Sequence, residues 1–338
     1  MFIAPGKPAL VLAPMDGVTD ALMRRLLSAR MPLSYCVTEF IRVSGIVPPP
    51  RVFLADVPEL NTGSLTGSGC PVQVQLLGGD PERLAESACR AVELGALGID
   101  LNFGCPAPTV NRHDGGATLL KFPERVERIV ATVRSAVPST IPVSAKLRLG
   151  WDDPRAILVN AERAARGGAS WITIHGRTKT QGYTPPAYWR PIGEARRNLS
   201  IPVVANGEIW SVDDLARCRD ESGCEHFMIG RGALAEPGLV TALATSLGLP
   251  RNSDHVEMCG GNAAKWLPLL QELVELSRAA NESERRTLSR LKQWLNYARH
   301  KGQVSWFDSV KRLESLSEVV SHLQTLATAS VTELRRAA

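Results

Sequence analysis

The first two-thirds of the chain alternate two textures. Short apolar, often β-branched runs occur at residues 9–13, 33–38, 72–76, 98–102, 143–148, 171–175, 203–206 and 226–229. Amphipathic stretches lie between them, among them residues 81–94 and 123–137, with Asp80 and Phe122-Pro123 as their starts. Runs apolar on both faces and joined by helices predict a parallel sheet. Eight such units in roughly 240 residues predict an α/β fold, a closed (β/α)8 barrel. An open doubly wound sheet is the competing architecture, but the glycine fingerprint expected after its first strand is missing. That turn reads Pro14-Met15-Asp16-Gly17.

From residue 249 the texture changes. Residues 250–261 are polar and glycine-bearing, as a linker would be. Beyond them the pattern is helical over residues 263–279, 282–300, 306–313 and 316–327, with a short last turn. Leu288, Leu291, Trp294 and Leu295 mark the apolar face of one of these helices. The expected organisation is therefore a catalytic TIM barrel over residues 1–248 and a helical domain over 249–338. No apolar run approaches the roughly 20 residues of a membrane span. The apolar stretch 9–15 ends at Asp16 and lacks the flanks of a signal peptide, so a cytoplasmic location is expected.

Seven cysteines at irregular spacing, with no C-x-x-C pair, argue against a disulfide framework and against a zinc site. The net charge of +5 is unevenly placed: residues 261–338 hold twelve bases and eight acids, a surplus of four. Arg285, Arg286, Arg290, Lys292, Arg299 and Lys301 fall in one helical stretch that contains no acid. Such an asymmetry points to an anionic partner, although a solvated helix face would read the same way.

Barrel enzymes carry their chemistry at the carboxyl ends of the strands. Here those ends carry Pro14, Met15 and Asp16, then Gln75, Asn102 with Gly104-Cys105-Pro106, Lys146 with Arg148, His175, Asn206-Gly207-Glu208 and Gly230-Arg231-Gly232. The last two ends suit a phosphate, since glycine lets backbone N–H groups approach and Arg231 adds charge. Each glycine pair taken singly could equally be a tight turn. Lys146 and Arg148 place two cations on one side of a strand. Lys146 can stabilise a reduced flavin or form a Schiff base, and a plain surface lysine is the bland reading. His175 could bond a cofactor or substrate, or simply be a satisfied interior histidine. Cys105, between glycine and proline on an active-face loop, stays largely protonated near neutral pH and can act as a general acid.

Taken together, Leu12-Ala13-Pro14-Met15-Asp16-Gly17-Val18-Thr19-Asp20, Val74-Gln75-Leu76, Asn102-Phe103-Gly104-Cys105-Pro106, Ala145-Lys146-Leu147-Arg148-Leu149-Gly150, His175-Gly176-Arg177-Thr178, Asn206-Gly207-Glu208-Ile209 and Ile229-Gly230-Arg231-Gly232 resemble the tRNA-dihydrouridine synthases. The motifs run in family order, and the helical tail is similar too, so the resemblance covers the full length. It implies FMN at the barrel mouth, reduced by NADPH, and hydride transfer to C6 of a uracil while a cysteine protonates C5. Cys105 would be that acid. Pro14, Met15, Asp16, Gln75, Lys146, His175, Asn206, Gly207, Glu208, Gly230 and Arg231 would hold FMN. Asn102, Arg148 and Tyr183 would face the uracil. Arg290, Lys292 and Tyr297, with Arg42 and Lys311, resemble the tRNA contacts of the bacterial class C subfamily, which modifies the uridine at position 16. The target base must leave its stack to reach a barrel, so the partner is folded tRNA, bound by a monomer without metal or membrane. A flavin dehydrogenase of a free pyrimidine, a Schiff-base aldolase and a non-catalytic tRNA-binding barrel remain the alternatives. Phe103 is not interpretable from the sequence.

Overall fold

The computed structural model describes residues 2–4, 6–250, 254–257 and 261–337, the backbone alone for residues 329–337. Part of the expected linker, residues 251–253 and 258–260 with Cys259, lies outside the described residues. Among the described residues nine strands form one sheet: β1 (Ala9–Leu12), β2 (Tyr35–Val37), β3 (Ile41–Arg42), β4 (Val72–Leu77), β5 (Ile99–Asn102), β6 (Val143–Arg148), β7 (Ile172–His175), β8 (Val203–Asn206) and β9 (His226–Ile229). All pairings are parallel, in the order β2-β1-β9-β8-β7-β6-β5-β4-β3. Direct pairing of β2 with β4, Cys36 opposite Val72 and Val37 opposite Gln73, closes the ring. The result is the (β/α)8 barrel. β3 was not foreseen: two residues carry no pattern of their own, and they only prolong the line of β2 along Leu76 and Leu77.

Register decides the height of each side chain in the mouth. Asn102 lies opposite Lys146, and Arg148, His175 and Asn206 are successive partners across β6, β7 and β8. The opposite end is stoppered by Phe2, whose ring meets Tyr35 edge-on at 5.1 Å, with Trp171 at 6.0 Å. A β-carbon on Gly98 would lie 2.6 Å from the Phe2 ring, so glycine is needed there. The barrel is thus plugged by hydrocarbon below and open to polar groups above.

The tail forms the helices Ala263–Ala279, Glu284–His300, Phe307–Val310 and Leu316–Ala337. Two differ from the sequence expectation. The short helix covers four residues instead of 306–313, and the last helix runs on to Ala337, because no Gly or Pro interrupts it. Ser283 caps the start of Glu284–His300, accepting from Arg286 N. Trp266 and Trp294 meet edge-on at 5.8 Å, and Trp294 Nε1 donates to the Leu234 carbonyl at 2.9 Å. One apolar cluster joins barrel helices to tail helices without a break. Among the described residues no helix is long and apolar enough to cross a membrane.

Candidate active site

A cavity of about 660 Å³ opens at the carboxyl ends of the strands. Pro14, Met15, Asp16, Gln75, Asn102, Cys105, Lys146, Arg148, His175, Tyr183, Asn206, Gly207, Glu208, Gly230, Arg231 and Tyr297 all line it. Of the candidate residues only Arg42, Arg290, Lys292 and Lys311 lie elsewhere. Its size suits a cofactor or a small ligand.

Cys105 follows β5 on a loop held from two sides. Asn102 Oδ1 accepts from the N–H groups of Gly104 and Cys105, each at 2.9 Å. The Cys105 carbonyl accepts from Asn111 Nδ2 and Ala117 N, both at 3.1 Å. Asn111 is a positioning residue that the sequence did not announce, since a lone polar residue in a short helix carries no signal. Gly116 has φ +60°, and a β-carbon there would lie 2.8 Å from the Cys105 carbonyl oxygen. Burial, with Asp16, pushes the half-buried thiol up against the weaker pulls of the Ala107 N–H, Arg148 and Lys146, so it keeps its proton at neutral pH. Phe103 is 1 % exposed and is a core residue.

Lys146 Nζ donates to Asn206 Oδ1 at 3.3 Å, and Asn206 Nδ2 to the Met228 carbonyl at 2.8 Å. Burial, then repulsion from Arg148, brings the ammonium down to about 8, while Asp100 pulls the other way. Lys146 is still mostly charged at pH 7. His175 is pushed well below its usual value by burial and by Arg148, Lys146, Arg177 and Arg231, so the site holds a neutral imidazole. Gly207 (φ +116°) lies against it, and a β-carbon would come within 3.0 Å of the His175 ring. Glu208 is paired internally with the fully buried Arg177.

Arg148 spends its guanidinium on the carbonyls of Gly104 (2.8 Å), Thr178 (3.0 Å) and Gly182 (2.8 Å), bracing the Cys105 loop. It also stands 5.3 Å from the Tyr183 ring, as does Arg231. Arg231 is 5.4 Å from Trp210, over which Lys301 of the tail sits at 3.7 Å. Cations and rings thus alternate from the barrel interior to the tail helix. Trp210 was not singled out in the sequence, and the motif Gly207-Glu208-Ile209-Trp210 was its available signal.

The four remaining candidates divide. Arg42 is exposed on β3, its guanidinium reaching the Thr109 carbonyl at 3.3 Å. Lys311 is exposed and pairs with Asp308 at 2.6 Å. Lys292 Nζ donates to the Leu313 carbonyl at 2.6 Å. Arg290 differs from the expectation of a solvent-facing RNA contact: it is 9 % exposed and binds Glu282 and Asp20. The helix turns this position toward the barrel, where Asp20 caps Ala21–Arg30. Arg285, Arg286 and Arg299 of the same helix are exposed.

The residues fit a flavin phosphate. A β-carbon on Gly230 would make only ordinary contacts, 3.4 Å to Met15 Sδ and 3.5 Å to Ala13 Cβ. Protein packing does not demand glycine there, but the side chain would occupy the cavity floor. Residues 11–332 match the family model described as dihydrouridine synthase (Dus). The chain belongs to the dihydrouridine synthase family. It is 44% identical over 290 residues to a tRNA-dihydrouridine(16) synthase of Shewanella oneidensis, covering 85% of this chain and 88% of the relative. The enzyme of that name from Ralstonia nicotianae is 42% identical over 321 residues, 93% and 95% of the two chains. That from Pseudomonas syringae pv. tomato is 49% identical over 286 residues, 85% and 88%. A histamine dehydrogenase from Rhizobium sp. 4-9 shares the barrel, with a TM-score of 0.56 and 14% identity, over 78% of this chain and 49% of that one. Family membership removes the Schiff-base reading of Lys146.

Proposed function

We propose that the chain is an FMN-dependent tRNA-dihydrouridine synthase that saturates the C5–C6 bond of uridine 16 in the D-loop, with NADPH as reductant. The observation that carries this reading is one cavity in which a protonated thiol, fixed by its loop, faces a buried ammonium and two glycine-bearing strand ends. The names of the relatives support the position.

Pro14, Met15, Asp16, Gln75, Lys146, His175, Asn206, Gly207, Glu208, Gly230 and Arg231 would hold FMN. Bound there, FMN would supply hydride chemistry toward C6 of the uracil. The backbone at Gly207 and Gly230, with Arg231, would take the phosphate. Lys146 would lend positive charge to a reduced flavin held beside it. Neutral His175 offers a hydrogen bond without adding a further cation. Cys105 Sγ–H gives its proton to C5, and the thiolate left behind is stabilised by Lys146 and Arg148. Tyr183, more than half exposed at the rim, offers a face on which an extruded base can stack. Exposed Arg285, Arg286 and Arg299, with Arg42 and Lys311, meet tRNA phosphates, which supply salt-sensitive affinity.

The test is Cys105→Ala. FMN content and tRNA affinity are expected to stay, and dihydrouridine, mapped at position 16 by reverse transcription, to disappear. Full activity of the variant would remove the proton-donor role; dihydrouridine at another position would remove the assignment to uridine 16.

A further inference from the structure

β5 carries a carboxylate that none of these roles uses. Asp100 lies two residues before Asn102, on the same side of the strand, and is 2 % exposed. Both of its oxygens accept hydrogen bonds, Oδ1 from Ser144 Oγ and Oδ2 from Gln75 Nε2 at 2.7 Å. Ser144 Oγ itself accepts from Gln73 Nε2 at 2.9 Å, which leaves its proton for Asp100. A carboxylate can only accept, so Gln75 must present its amino end to Asp100. Its carbonyl end then points onward, and Oε1 accepts from Asn102 Nδ2 at 2.8 Å. With its amino end so occupied, Asn102 has only Oδ1 to offer the N–H groups of Gly104 and Cys105, and both bind it. Reversal of the Gln75 amide would set oxygen against oxygen at Asp100 and N–H against N–H at Asn102, and reversal of the Asn102 amide would set N–H against N–H at the Cys105 loop.

We propose that Asp100 is a positioning residue whose carboxylate fixes the direction of the Gln75 and Asn102 amides and, through them, the place of the Cys105 thiol. The links from Asp100 through Gln75 and Asn102 to Gly104 N–H are buried, which strengthens them, and the one to Cys105 N–H is part-buried. Its kinetic consequence rests on Cys105 being the proton donor; its effect on the loop does not. A misplacement on the order of 1 Å at a reacting group costs about a hundredfold in rate.

The experiment uses FMN-loaded full-length protein and four forms: wild type, Asp100→Leu, Gln75→Glu, and Asp100→Asn combined with Gln75→Glu. Leucine offers no acceptor. Gln75→Glu alone sets two carboxylates face to face. The double variant moves the carboxylate to position 75, where it accepts from the amide introduced on β5 and from Asn102, so the direction at Asn102 is kept. Three quantities are read: reduction of bound flavin by NADPH, single-turnover dihydrouridine formation with its KM for tRNA, and alkylation of Cys105 by iodoacetamide. For Asp100→Leu the expected result is about a hundredfold slower dihydrouridine formation, with unchanged KM and unchanged flavin reduction, and Gln75→Glu is slowed at least as much. Alkylation rises several-fold as the loop loosens, and the double variant recovers both. Asp100→Leu matching wild type in turnover and alkylation overturns the proposal. So does a folded, flavin-loaded double variant no better than Gln75→Glu, a comparison that holds even if Asp100→Leu fails to fold. Wild type forming no dihydrouridine sinks the functional reading, while the alkylation comparison still decides the role of Asp100.

Discussion

Arg290→Met keeps the aliphatic stem of a tail residue and deletes its guanidinium. In the structure that guanidinium binds Glu282 and, from the barrel, Asp20, with all three side chains largely covered at 9, 14 and 27 % exposure. Breaking a fully buried pair costs about 3–5 kcal/mol, because the abandoned charge stays buried. Two features lower that figure here. Asp20 is partly wet and still accepts from Met23 N, and Arg286 stands 3.4 Å from Glu282. About 2–3 kcal/mol remains, which for a chain of this size is a fall in Tm of roughly 4–8 °C. Burial raises the Glu282 carboxyl, but the Arg290 guanidinium outweighs it and holds the group below its ordinary value. A depressed carboxylate stabilises above its unfolded pKa of 4.5, and the benefit disappears as pH falls through the folded value. The deficit of Arg290→Met should therefore be full at pH 7 and shrink in acid. Adding Asp20→Asn and Glu282→Gln should return most of the lost Tm, by removing the stranded charges. Differential scanning calorimetry measures this, and tRNA titrations at several salt concentrations complete it. If Arg290→Met melted within a degree of wild type while its tRNA affinity lost salt dependence, the guanidinium would be an RNA contact after all.

Two further outcomes are expected. Gly116→Ala puts a β-carbon 2.8 Å from the Cys105 carbonyl and 2.9 Å from Val110 Cγ1, at φ +60°. The strain of about 1–2 kcal/mol should displace the loop and slow uridine reduction at least about tenfold with FMN still bound; wild-type turnover would show that the loop tolerates the change. Glu39 is pushed up to about 6, mainly by burial, with Asp20 and Asp16 adding to the shift. An acid raised in this way binds its proton more readily in the folded state, so the penalty appears as pH rises from 4.5 to about 6 and is full above it. The shift corresponds to about 2 kcal/mol, and halving it for partial exposure leaves about 1. Glu39→Gln, which keeps the acceptor for Val18 N, should melt about 2 °C higher at pH 7.5 and no higher at pH 4.5. An equal gain at both values would point to a cause other than charge.

β6, β8 and β9 have the bounds their runs predict, because the face of each strand packed under the helices is apolar from end to end. The mouth was legible for the same reason: a polar residue ending such a run has little cause to be there unless it does something. What escaped notice lies in pairings across the fold. Arg290 reads locally as one more base on a basic helix, and its partner Asp20 is 270 residues away. Asp100 interrupts an apolar run, which marks it as unusual without saying which amides it orients. The sequence reads as continuous helix only over 316–327 because the polar last turns resemble a frayed end, whereas the helix runs to Ala337.

The mouth of the barrel is walled on one side by residues the barrel does not own. Tyr297 lines the cavity, Lys301 caps Trp210, and Trp294 is bonded to the backbone at Leu234. Grafting a foreign tail onto this chain is thus a problem of plugs and sockets more than of joining ends. A chimera that altered the indole at 294, the guanidinium at 290 or the ammonium at 301 would leave Leu234, Asp20 and Trp210 as empty sockets. A change on one side of that seam then calls for a matching change on the other.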